Sequence, residues 1–227
     1  MTVILLLIFF LSIAETANAA DSYYFEMDQF NSLLGRTKII ANKDAIKIEI
    51  QAQNSVLVSK APKWEICLYS PKTKRYCVSS LSTWHPHQAR LTVFFGDYIR
   101  RKKWVKTNVK NLQFDQLRFK NVGPDKQEDV LQILPDSIVG KEPSLIYSRY
   151  CGWNSSSAAF SGIPTKLFYR DKKKGMIKVI ETYSMRRIKA SGKIFECPES
   201  YKRVEKEQFV MNHNNNDALE IMLGREK

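Results

Sequence analysis

The stretch Ala45-Ile46-Lys47-Ile48-Glu49-Ile50 alternates apolar and charged side chains without a break. Successive strand residues point to opposite faces, so Ile46, Ile48 and Ile50 share one side and Lys47 and Glu49 the other. This pattern belongs to a half-buried antiparallel strand and gives a helix no coherent apolar stripe. Neighbouring segments continue it: Lys38–Ala41, Ser55–Ser59, and two runs over 64–69 and 75–80 around the turn Ser70-Pro71-Lys72-Thr73-Lys74. Gly35 and the Ala41–Ala45 segment supply the punctuation of a meander of short strands.

Further along, Pro124-Asp125 ahead of Lys126–Leu134 reads as a short helix, with Asp125 as N-cap, Val130, Leu131 and Leu134 on one face, and Pro135 ending it. A loop over 140–143 leads into Ser144–Ser148, and after Cys151 a second block follows with strand-like runs at 165–170, 176–184, 185–190 and 192–197. A polar tail, 212–227, contains a short helix capped by Asn216 or Asp217. The expected class is mainly β (α+β), a single domain over residues 20–211 with a few short helices.

Ahead of that domain, Val3–Ile13 is an apolar run followed by a polar segment ending Ala17-Asn18-Ala19. Residues 1–19 thus have the layout of a secretory signal peptide, with an apolar core too short to span a bilayer as a helix. Met1-Thr2 carries no basic residue, so a retained N-terminal anchor is the other reading. The expected address is extracytoplasmic, secreted or periplasmic, where four cysteines read as two disulfides. A three-residue loop at 71–73 would set Cys67 opposite Cys77 and leave Cys151 for Cys197, whereas a slip of one residue would separate the first pair onto opposite faces. The cysteine spacing matches no zinc pattern. Asn154-Ser155-Ser156 is a glycosylation sequon in a eukaryotic host.

Lys and Arg number 36 against 23 Asp and Glu, for a net charge of +13. The leader carries one acid, Glu15, and no base, so its removal leaves the rest still more positive. An anionic membrane or an acidic polysaccharide suits that charge and address better than nucleic acid does. Basic residues concentrate at Arg100–Lys110, Arg170–Lys174 and Met185–Lys189, and Arg100, Arg101, Lys102 and Lys103 stand beside Trp104 as residues of an anionic-surface contact would. A solvated face is the plainer reading of the same run. In Met185–Lys189, strand alternation puts Arg187 and Lys189 on one face and Arg186 and Ile188 on the other.

Catalytic chemistry finds little support. His85 and His87 flank Pro86, which disfavours a regular strand, and no third metal ligand follows; His213 lies in the polar tail. Ser161 lacks the leading glycine of a nucleophile elbow, and no glycine-rich phosphate loop occurs. No catalytic residue, metal or cofactor is therefore assigned, and a non-enzymatic role is expected.

Gly35 before the first strand pair, the hairpin Trp64–Tyr76, and the closing stretches Ile163–Tyr169 and Phe195-Glu196-Cys197-Pro198-Glu199-Ser200-Tyr201 resemble in layout the outer-membrane lipoprotein-carrier fold and related periplasmic domains. The resemblance implies a strongly curved antiparallel sheet or half-barrel that wraps short helices and holds acyl chains in its concave face. On that basis the lining of a lipid-like or other apolar ligand falls to Ile46, Ile48, Val56, Val58, Leu91, Val93 and Phe95. Core packing accounts for the same apolar positions equally well.

Overall fold

The computed structural model describes residues 23–86, 102–107, 113–122, 128–151, 160–171, 175–207 and 210. Six strands open it as a meander: β1 Tyr23–Asn31, β2 Gly35–Ala41, β3 Ala45–Ile50, β4 Ser55–Lys60, β5 Glu65–Ser70 and β6 Arg75–Ser80. Then come β7 Val105–Thr107, β8 Leu117–Val122 and β9 Glu128–Pro135, two helices (α1 Asp136–Val139, α2 Lys141–Cys151), β10 Gly162–Asp171, β11 Gly175–Lys189 and β12 Lys202–Arg203. The strands form one open, mainly antiparallel sheet in the order β12-β6-β5-β4-β3-β2-β1-β11-β10-β9-β8-β7, with β12 parallel to β6. β11, fifteen residues long, is the seam, because it pairs with β1 on one side and β10 on the other.

Two local expectations are overturned. In the segment expected as a helix, Glu128 to Leu134 belongs instead to β9, hydrogen-bonded between β8 and β10, with Leu131 and Ile133 fully buried. A short apolar run fits either element, and partners on both flanks decide it here. Ser144–Ser148, to which the sequence reading gives no element, lies inside α2, where Pro143 occupies the first turn, a position at which the missing N–H costs nothing. Residues 176–184 and 185–190 belong to one strand, with a bulge opposite Asp28 and Gln29, while Gly192–Phe195 is a 3-10 turn capped by Ser191.

Side chains on one face of the sheet, from Cys77 of β6 across to Phe119 of β8, join a single apolar cluster with Ile146, Tyr147, Tyr150 and Cys151 of α2. Laid flat, twelve strands would spread over about 50 Å. The eleven-residue α2 is only roughly 16 Å long. One cluster therefore spans the sheet because the sheet curls around the helix. The α1–α2 junction is seated on the β2–β3 turn by Gly140, whose φ of +90° and absent side chain are both needed: a Cβ there would lie 2.8 Å from the Lys43 carbonyl oxygen.

Polar bonds fix the helix against both halves of the sheet. The Tyr147 hydroxyl donates to Gln29 Oε1 at 2.6 Å, and Gln29 Nε2 donates to the Pro164 carbonyl at 2.8 Å and to Thr182 Oγ1 at 3.1 Å. Tyr150 and Ser55 share a hydrogen bond of 3.1 Å. Gln29 is 1% exposed, so water cannot replace these partners. Tyr147→Phe, which leaves the Gln29 carbonyl without its donor, is expected to lower stability by about 1–3 kcal/mol with an unchanged denaturant m-value, measured by urea unfolding.

Candidate functional site

The residues proposed from sequence as an apolar lining do not share one surface. Ile46 and Ile48 are 0% exposed on the inner face, in the cluster that packs on α2. The β3–β4 register pairs Ile48 with Leu57, which turns Leu57 inward and sends Val56 and Val58 to the outer face, where they pack with Cys67. Leu91, Val93, Phe95, Arg100, Arg101, His87 and Asn154 lie outside the described residues. Of the remaining basic run, Lys102 pairs with Asp129 at 3.4 Å and Lys103 is exposed.

The disulfide is Cys67–Cys197, and Cys77 and Cys151 are free and buried. The expected Cys67–Cys77 and Cys151–Cys197 pairs are thus replaced, and the turn explains why. Ser70 pairs with Arg75, so the β5–β6 loop has four residues rather than three, with Lys74 in the left-handed region at φ 54°. The slip sets Cys77 opposite Leu68 on the inner face and turns Cys67 outward. There Cys67 meets a strap, residues 191–203, that crosses the outer face of β1–β6. Phe195 stacks on Tyr24 at 4.8 Å, Glu196 pairs with Lys60 at 2.7 Å, Tyr201 meets Tyr69 edge-on at 5.9 Å, and β12 adds to β6.

On the helix side of the inner face the titratable groups are buried thiols and phenols. Burial pushes the Cys77 thiol up to about 12 and raises Cys151 still further, so neither supplies a thiolate near neutral pH. Burial likewise raises Tyr147 and Tyr150. Among the described residues no three His, Cys, Asp or Glu side chains gather as a metal site requires.

The inner face over β1 and β7–β11 differs. Phe160 meets Phe119 at 5.0 Å and Trp104 at 6.4 Å, both edge-on, and Phe114 meets Phe25 edge-on at 5.4 Å. Trp104, Phe114 and Phe160 are only partly buried. At the end of β1 the Arg187 guanidinium lies 5.4 Å from both the Phe25 and Phe114 rings, and Lys189 lies over Tyr23 at 5.6 Å. Arg186 turns the other way and binds the buried Glu26, whose carboxyl is held below the usual range chiefly by its hydrogen bond from Lys38. The alternation read from Met185–Lys189 holds, since Ile188 packs on the outer face with Tyr24. The result is two groups of rings, Trp104–Phe160–Phe119 and Phe25–Phe114, the second with Arg187 against it. Sequence reasoning noticed Trp104 and Arg187; Phe114, Phe119 and Phe160 stand apart in the sequence, and it is their ring contacts and the shared apolar cluster that place them together.

No family model matches the chain, and no curated protein matches it. Among solved structures it is similar to an uncharacterised conserved protein from Thermus thermophilus, at 9% identity and a TM-score of 0.33, over 82% of this chain and 92% of that one.

A thiol reagent is expected to label neither Cys77 nor Cys151 in the folded protein and both in denaturant. The folded state also keeps the Cys77 proton to higher pH than the unfolded chain does. Its contribution to stability is therefore full below the ordinary thiol value of 9.0 and declines as pH rises from there toward about 12, a loss that alkaline urea titrations measure and Cys77→Ala reduces.

Proposed function

We propose that this is an extracytoplasmic, non-enzymatic binding protein that holds an apolar chain with an anionic head against the inner face of its sheet. The observation that carries this reading is the set of partly buried rings Trp104, Phe114 and Phe160, with Arg187 against Phe114, which the proposal takes as the lining of one trough. Aromatic edges and faces take an acyl chain without hydrogen-bonding demands, and a guanidinium at the rim suits a carboxylate or phosphate. Two features support the extracytoplasmic address: the apolar leader and the Cys67–Cys197 disulfide. The carrier-like layout read from the sequence supports the same ligand class by analogy. The site differs from the one expected, because α2 already fills the concave face over Ile46 and Ile48.

Native mass spectrometry before and after organic extraction, with uptake of a fluorescent fatty acid, tests the proposal. A bound mass that extraction removes is expected. Arg187→Gln should weaken uptake about tenfold, as loss of one charge-assisted contact does, and Phe114→Ala should weaken it further without regard to headgroup charge. Finding no bound lipid and no uptake would exclude the reading.

A further inference from the structure

The outer faces of the two halves of the sheet are treated differently. Over β1–β6 the strap covers apolar side chains, and four cations there have acids beside them: Lys38 and Arg186 on Glu26, Lys47 on Glu49, Lys60 on Glu196. Over β7–β11 the register places Arg118, Lys166, Arg170 and Lys178 on one outer face. The one acid with them among the described side chains is Glu181, paired with Lys178 at 2.9 Å.

Apolar groups stand among these cations. Val105 is 64% exposed and Met176 48%, at opposite margins of the patch. Three strands lie between theirs, so four strand spacings, about 20 Å, separate them. Phe168 lies between, with Lys166 4.8 Å and Lys178 5.8 Å from its ring centre. Arg118 keeps a buried Nε without a hydrogen-bond partner.

We propose that the outer face of β7–β11 docks on an anionic phospholipid surface. The surplus of positive charge meets the headgroups, and Val105, Phe168 and Met176 enter the interface beneath them. Charge alone would suit an acidic polysaccharide as well, but a hydrated sugar chain gives exposed Val105 and Met176 nothing to contact, whereas the acyl boundary does. The surface is distinct from the inner-face trough and does not depend on it.

Sedimentation of the full chain with sucrose-loaded vesicles tests the proposal, comparing pure phosphatidylcholine with a mixture containing about 30% phosphatidylglycerol. Binding is expected only to the anionic vesicles and should fall steeply as salt rises from about 0.05 to about 0.3 M. The triple variant Lys166→Gln, Arg170→Gln, Lys178→Gln should bind roughly a hundredfold more weakly. Val105→Ser with Met176→Ser should bind several-fold more weakly with an unchanged salt slope, and Lys43→Gln, on the β2–β3 turn, should bind normally. All replaced side chains are at the surface, so melting temperature and fatty-acid uptake should stay constant, which separates failure of docking from failure of the trough. Absent or salt-insensitive vesicle binding overturns the proposal. So does binding to heparin without vesicles, weakened by the triple variant and untouched by the serine pair; that result assigns the patch to a polysaccharide.

Discussion

The hydrogen bond from Tyr147 to Gln29 joins the helix to the seam of the sheet. Gln29 sits on β1 at the bulge facing β11, and its amide also reaches the carbonyl of Pro164 on β10. All these atoms are withdrawn from water, so each needs its partner, and the helix has one place in which it supplies the missing donor. With α2 held there, the sheet must bend to bring Cys77 on one side and Phe119 on the other into the same core. The inner surface is thereby divided into a dry half under the helix and a ring-lined half beyond it.

Much of the sheet was legible. Ala45–Ile50 is a strand with Ile46, Ile48 and Ile50 buried, because alternation is a local signal that the fold preserves. Segment 128–135 was misread because its apolar run suits a helix or a strand sandwiched between two others, and the choice rests on β8 and β10. The cysteine pairing failed over one residue of loop length: with Lys74 in the left-handed region the hairpin turns a residue later, and Cys77 changes face. Val56 and Val58 misled for a related reason, since β4 is buried on both faces and alternation cannot say which side is the core. The two groups of rings were largely hidden, their members being collected from short segments that show no periodicity of their own.

The strap gives the first half of the outer surface an apolar lining that would otherwise face water. It is anchored at one end by Phe195 on Tyr24 and at the other by the short parallel pairing of β12, with the disulfide between. The second half of the outer surface has positive charge and two protruding apolar side chains instead. A single sheet thus presents a sealed side and a charged side on one face.

The pairing of β1 with β11 sets the order in which the molecule is completed. Tyr23 lies beside Lys189, and the disulfide spans 130 residues. A chain emerging from its N-terminus exposes one side of β1 as an unpaired edge until nearly the whole sequence has appeared. High contact order of this kind slows folding, and the waiting edge, with Met27 and Phe25 uncovered beside it, is open to pairing with other chains. The seam that unites the native sheet is also its point of greatest exposure to misassembly, and the strap that crosslinks the sheet is among the last parts to arrive.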